Sequence, residues 1–223
     1  MKEGNEEISK VDWTFLLRFH AIFAVAVAIS LTQCHEYGPT VLLLVIGWNL
    51  GFAVFSKGRV YRMWRFCAIQ SMFQIFPDWF LVTSLGALHF PPNGVWRIGG
   101  AVSCYMAGMW SIPTFLIMLS STAAVHPFWK YFLAAIVSLT IFGAAEFLLY
   151  YLDLWHCTDA VKQRLFGHVA VYILPAEAIL GPTILYAYRA TNSEGLLSQI
   201  VGAFATMLLY TGALAIAYLL IEQ

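Results

Sequence analysis

The chain has 223 residues, 61% of them hydrophobic and only 11% charged, with 12 Lys and Arg balanced by 12 Asp and Glu. Soluble domains are about half apolar and about a quarter charged, so this composition excludes an ordinary soluble domain and places the chain among polytopic membrane proteins. The zero formal charge leaves no basic footprint for nucleic acid.

A hydrocarbon core about 30 Å thick takes roughly 20 apolar residues per helix. Seven segments reach that length: 13–32, 39–56, 67–88, 98–120, 128–152, 167–188 and 196–221. Their connections are too short to hold a soluble domain. Residues 1–223 therefore read as one all-α integral membrane domain, a bundle of seven transmembrane helices. The first segment follows a mixed-charge tail from Lys2 to Asp12 and lacks a small-residue cleavage site, so it reads as a retained span. Within it Arg18 can snorkel to the interface, and His20 follows. With the N-terminus in the cytosol, that face carries Lys2, Lys10, Lys57, Arg59, Arg62, Arg65, Lys130 and Arg189, against Arg97, Lys162 and Arg164 on the far side. The positive-inside rule then predicts a cytosolic N-terminus and a C-terminus on the far side, in the endoplasmic reticulum if the source is eukaryotic. Cys34 and Cys157 both fall in far-side connections, where a bridge and two free thiols are open alternatives. Cys67 and Cys104 read as packing residues.

The second segment supplies Trp48 and Asn49. In the third, Gln70, Gln74 and Asp78 recur every four residues and share one helical face, with Pro77 freeing a carbonyl one turn back. The glutamines are equally suited to a site and to interhelical hydrogen bonding. Trp79 follows Asp78, and the fourth segment carries Tyr105, Trp110, Ser111 and Pro113. Indoles at mid-depth, Trp79 and Trp110, do not belong to the interfacial belts. In the fifth segment Glu146, Tyr150 and Asp153 are spaced to share a face. Asp153, His156 and Asp159 read as a solvated connection; no HExxH or Cys/His cluster supports a metal site. The sixth places Glu177 between Pro175 and the Gly181–Pro182 pair, with Tyr172 one turn before it. Backbone broken in this way is common where it lines a cavity. His168 lies nine positions from Glu177, on the opposite face, and a structural role suits it at least as well. The seventh offers Thr206 and Tyr210.

Three acids thus sit in apolar sequence: Asp78, Glu146 and Glu177. A carboxylate at mid-bilayer costs at least a few kcal/mol, which marks such residues as functional. Every Lys and Arg maps to a helix end or connection, so no cation pairs with the acids, and at least one is expected to be a neutral acid. A neutral acid in an aromatic-lined cavity can protonate an alkene or epoxide. Aromatic faces then stabilise the carbocation, and a neighbouring carboxylate takes the last proton back.

FPDW at 76–79, AAEFLLYY at 144–151 and LPAEAILG at 174–181, set in a seven-helix layout without a soluble domain, carry a resemblance. The chain resembles the noncanonical membrane-bound terpene cyclases of the meroterpenoid type. The resemblance implies cyclisation of a prenyl-derived polyene or epoxide lipid without a cofactor or metal. The residues expected to carry catalysis are Asp78, Glu146 and Glu177, and those expected to bind substrate are Gln74, Trp79, Trp110, Tyr150, Tyr172 and His168. The chain departs from that family's pattern in its last helix, which has no acid before Glu222. Neither DDxxD nor DxDD occurs, and NSE at 192–194 lies in a short connection, which favours direct protonation over metal-triggered ionisation. A sterol or carotenoid isomerase or hydratase would use the same chemistry. A transporter, or an assembly protein with the acids as interhelical glue, is the non-enzymatic alternative. No internal repeat relates the first three helices to the last three, and the seventh segment has no lysine for a retinal Schiff base.

Overall fold

The computed structural model describes residues 9–33, 37–192 and 195–223. Lys2, Cys34 and two members of the NSE triplet lie outside these residues. Among the described residues the fold is predominantly helical. The helices are α1 (Lys10–Gln33), α2 (Tyr37–Phe55), α3 (Gly58–Phe73), α4 (Ile75–Thr83), α5 (Met106–Met109), α6 (Ser111–Ser121), α7 (Pro127–Leu149), α8 (Ile173–Thr191) and α9 (Leu196–Glu222). Short strands β1 (Leu88–His89), β2 (Arg97–Ile98), β3 (Val102–Ser103), β4 (His156–Cys157), β5 (Arg164–Leu165) and β6 (Val169–Ala170) pair antiparallel at one end of the bundle. Four stretches, Lys10–Gln33, Tyr37–Phe55, Pro127–Leu152 and Leu196–Glu222, are long and apolar enough to cross a membrane.

The expected third and fourth segments are each interrupted, and proline is the cause. Pro77 has no N–H for the carbonyl four residues earlier, and α3 ends at that residue, Phe73. Pro113 stands in the same relation to Met109, where α5 ends. Asp78 consequently occupies the first turn of α4, and Trp110 caps α6. The third segment also starts earlier than expected, at Gly58, as an amphipathic helix carrying Arg59, Arg62 and Arg65.

The starts of the fourth and sixth segments are hairpins rather than helix. Gly99 and Gly100 adopt φ of +58° and +71°, and Phe166 and Gly167 adopt +52° and +82°, so each pair turns the chain back on itself. The fifth helix likewise stops short: it ends at Leu149, a 3₁₀ turn follows, and Asp153 is left-handed at φ +50°. Asp153 is therefore turned out of the helix that carries Glu146.

A repeat does exist, in a place that comparing outer helices misses. Strand pairs Arg97↔Ser103 and Ile98↔Val102 correspond, at a constant offset of 67 residues, to Arg164↔Ala170 and Leu165↔Val169. The residues agree as well: Arg97, Gly100, Val102 and Tyr105 match Arg164, Gly167, Val169 and Tyr172. One residue further in offset, β1 matches β4, and these two pair with each other as Leu88↔Cys157 and His89↔His156. Each residue thus meets the counterpart of its neighbour, the signature of a two-fold axis. Helices α3–α4 correspond to α7, and α5–α6 to α8. The two units meet where α6 packs on α7. On the other side of the axis α9 packs against both α8 and the α3–α4 pair.

Candidate functional site

Asp78, Glu146 and Glu177 all lie on the wall of one cavity of about 240 Å³. It sits where the two units face each other, under the β1–β4 pair. Proline breaks and unit symmetry set its acids: Asp78 opens α4, Glu146 holds the corresponding place near the end of α7, and Glu177 on α8 corresponds to Trp110 on the first unit.

Each carboxyl accepts a hydrogen bond from a neutral donor. The Trp110 indole Nε1–H donates to Asp78 Oδ2 at 2.9 Å, the Trp155 Nε1–H to Glu146 Oε1 at 2.8 Å, and the Tyr210 hydroxyl to Glu177 Oε1 at 2.5 Å. Glu177 Oε2 is buried with no partner among the described residues. The Ser138 hydroxyl donates to the Glu177 carbonyl at 2.7 Å and fixes the backbone behind that acid. Among the described residues no Lys or Arg lines the cavity, so no side-chain cation on its wall offsets a negative charge on any of the three carboxyls.

The rest of the wall is apolar and aromatic. The Trp110 ring packs on Phe142 at 4.8 Å between centroids and edge-on to Tyr210 at 5.9 Å. Phe90 and Trp155, with centroids 6.3 Å apart, close the hairpin end together with Leu88. Such a space has the character of a small-molecule site, apolar with a few placed polar groups, just below the usual size of about 300–1,000 Å³.

The expected binding residues divide. Trp110 lines the cavity; Gln74, Trp79, Tyr150, Tyr172 and His168 do not. Gln74 is fully buried at the junction of α3 and α4, and neither of its amide atoms has a partner among the described residues. Trp79 is 37% exposed, stacks on Phe76 and packs over Gly99 at the first hairpin. Tyr150 is 43% exposed and stacks on His168, whose Nε2 lies 3.2 Å from the Phe147 carbonyl. Tyr172 is buried edge-on to Tyr218. Three residues that help form the site, Tyr210, Trp155 and Phe142, carry no distinctive sequence signal. Tyr210 was named from the sequence only together with Thr206 as polar material on the seventh segment; α9 buries both beside Gln199 and Ala203.

The DxxHxxD residues, Glu222 and Cys157 lie outside the cavity. Asp153 approaches His156 at 3.7 Å and Asp159 approaches Arg164 at 3.5 Å, so the DxxHxxD residues do not converge. Glu222 accepts the backbone N–H of Lys162 at 2.6 Å and of Gln163 at 3.1 Å, tying the end of α9 to the second hairpin unit. The Cys157 thiol, unpaired among the described residues, donates to the His168 carbonyl at 3.2 Å, and burial raises it above its ordinary range.

A family model described as a domain of unknown function, DUF6989, matches residues 75–221, and the chain belongs to that family. The match spans both acids of α4 and α7, Glu177 and Tyr210. Neither a curated protein nor a solved structure matches the chain.

Proposed function

We propose that this member of the DUF6989 family is a seven-span membrane enzyme that protonates an isoprenoid lipid and guides the resulting carbocation into a ring, as a terpene cyclase does. The observation that carries this reading is the convergence of Asp78, Glu146 and Glu177 with Trp110, Phe142 and Tyr210 on one apolar cavity. In this reading α1, α2, α3–α4, α5–α6, α7, α8 and α9 each cross the bilayer. The basic end faces the cytosol and the hairpin end the far side.

The chemistry is general acid catalysis. A carboxyl O–H gives its proton to a terminal alkene carbon, forming a C–H bond, or to an epoxide oxygen, whose C–O bond then opens. The cation left on carbon is attacked by a neighbouring C=C bond, which closes the ring and moves the charge. The faces of Trp110, Phe142 and Tyr210 stabilise that charge by about 0.5–2 kcal/mol each. A second carboxyl, as carboxylate, removes a proton from the adjacent carbon and leaves a new C=C bond. The sum is an isomerisation, and the proton count of the three acids is restored.

Asp78→Asn, Glu146→Gln and Glu177→Gln keep the shape and the donor contacts of each site. In a host supplied with farnesyl and geranylgeranyl precursors, lipid extracts analysed by mass spectrometry should show product for the parent chain. Product should fall about 10²–10⁴-fold for the proton donor, at unchanged yield of folded protein. Full turnover in all three variants would end the acid mechanism. The three indole and phenol hydrogen bonds also suit the glue reading, which expects lower yield with no change in turnover per molecule.

A further inference from the structure

The cavity-wall residues divide sharply by exposure. Those contributed by α4, α8, α9 and the hairpin end, among them Asp78, Glu177, Tyr210 and Trp155, are buried. The half-exposed ones fall only on the α5–α6 segment, at Met109, Ile112, Pro113 and Leu116, and on α7, at Ile141, Ala145, Glu146 and Leu149. Positions 109, 112 and 116 and positions 141, 145 and 149 recur every three or four residues, so each set forms a stripe along one side of its segment. The two stripes border the seam between the repeated units, where α6 packs on α7. The symmetry-related seam, between α8 and α3–α4, is filled by α9, which inserts Tyr210. The hairpin end is shut by Leu88, Phe90 and Trp155, all buried.

We propose that the seam between α6 and α7 is a lateral gate through which an isoprenoid lipid passes from the bilayer into the cavity. Its substrate-class half rests on the acid-catalysis reading, whereas the gate itself does not. The two apolar stripes match acyl-chain surroundings, and a ligand crossing between them never leaves an apolar medium. Glu146, half-exposed beside Ala145 and Leu149, is the first acid that such a ligand meets. Pro113 removes a helix hydrogen bond to Met109, so the backbone ladder of the gate wall is interrupted beside the cavity.

The test uses the full chain in phosphatidylcholine nanodiscs with a diazirine-bearing farnesol. On photolysis the carbene labels whatever side chains it lies beside, and the adducts are mapped by mass spectrometry. Labels are expected along 109–116 and 141–149. Ala145→Trp, which adds bulk between the stripes, should reduce labels on the deep residues Glu177 and Tyr210 about tenfold, or about 1.4 kcal/mol. Leu165→Trp, at the exposed tip of the second hairpin, should change nothing. If Ala145→Trp does not fold, Ile112→Trp makes the same block from the facing helix. Deep labels undiminished by either block, or labels concentrated at the hairpin end, would overturn the gate. Intact gate labelling alongside full turnover in all three carboxyl variants would instead leave the gate standing and remove the acid chemistry.

Discussion

Glu177 has one hydrogen-bond donor, the Tyr210 hydroxyl, and one oxygen with no partner among the described residues. Removing that donor leaves a buried carboxyl with no protein partner, at a cost of about 1–3 kcal/mol. Tyr210→Phe should therefore lower the melting temperature of the detergent-solubilised protein, and Glu177→Gln added to it should not lower it by the same amount again. Gln74 presents the reverse case. Its amide is buried with no partner among the described residues, so replacing it by an apolar side chain of similar shape removes a desolvation penalty at little packing cost. Gln74→Met is expected to melt at the same or a higher temperature and to keep turnover. A clear drop in melting temperature would show that water or a ligand satisfies that amide. The polar stripe Gln70–Gln74–Asp78 was legible in the sequence because i, i+4 spacing alone places residues on a face. Which member reaches the cavity was not, because the Pro77 break puts Asp78 on α4, with Gln70 on α3 and Gln74 at the junction.

At the scale of elements, the closest approach that matters to the site is between α7 and α8. A Cβ on Gly181 would stand 2.2 Å from the Ala134 carbonyl oxygen, and backbone cannot yield as a side-chain tip can. Gly181→Ala should push the two helices apart, costing about 1–3 kcal/mol. It should also loosen the Ser138–Glu177 bond one turn away, so melting temperature and product both fall. Helix placement was readable from hydropathy to within a few residues for α1, α2, α7 and α9, where apolar runs are long and uninterrupted. It failed at the breaks and hairpins. There, apolar composition is shared by helix and strand, and the outcome turns on a missing proline N–H or on a left-handed glycine.

Across the whole molecule, the two units are joined at the hairpin end by the β1–β4 pair, where the His89 and His156 rings stand 5.2 Å apart. Desolvation lowers His89 below its ordinary imidazole value, helped by His156 and Arg97 and opposed by Asp153. As pH falls from about 6.5 toward the folded-state value, the opened form takes up a proton that the closed pair does not. Stability of the strand pair is therefore present above that range and lost on acidification. Amide hydrogen exchange at residues 88–89 and 156–157, corrected for intrinsic rates, should accelerate below pH of about 6.5. His89→Asn should remove the acceleration. Equal protection on both sides of that pH would show that the histidine pair does not couple to the strap.

The sequence by itself determined the membrane class, the approximate helix runs and the three acids, because each depends on composition and on spacing along one helix. It also held the repeated Arg–Gly–Val–Tyr pattern of the two hairpins, which lies between helices rather than along them. Tertiary structure alone decided that the acids share a cavity, that Trp110, Trp155 and Tyr210 are their donors, and that Gln74, Trp79, Tyr150, Tyr172 and His168 lie elsewhere. Those facts depend on how separate helices meet around a two-fold axis, and spacing within one helix does not encode distances between helices.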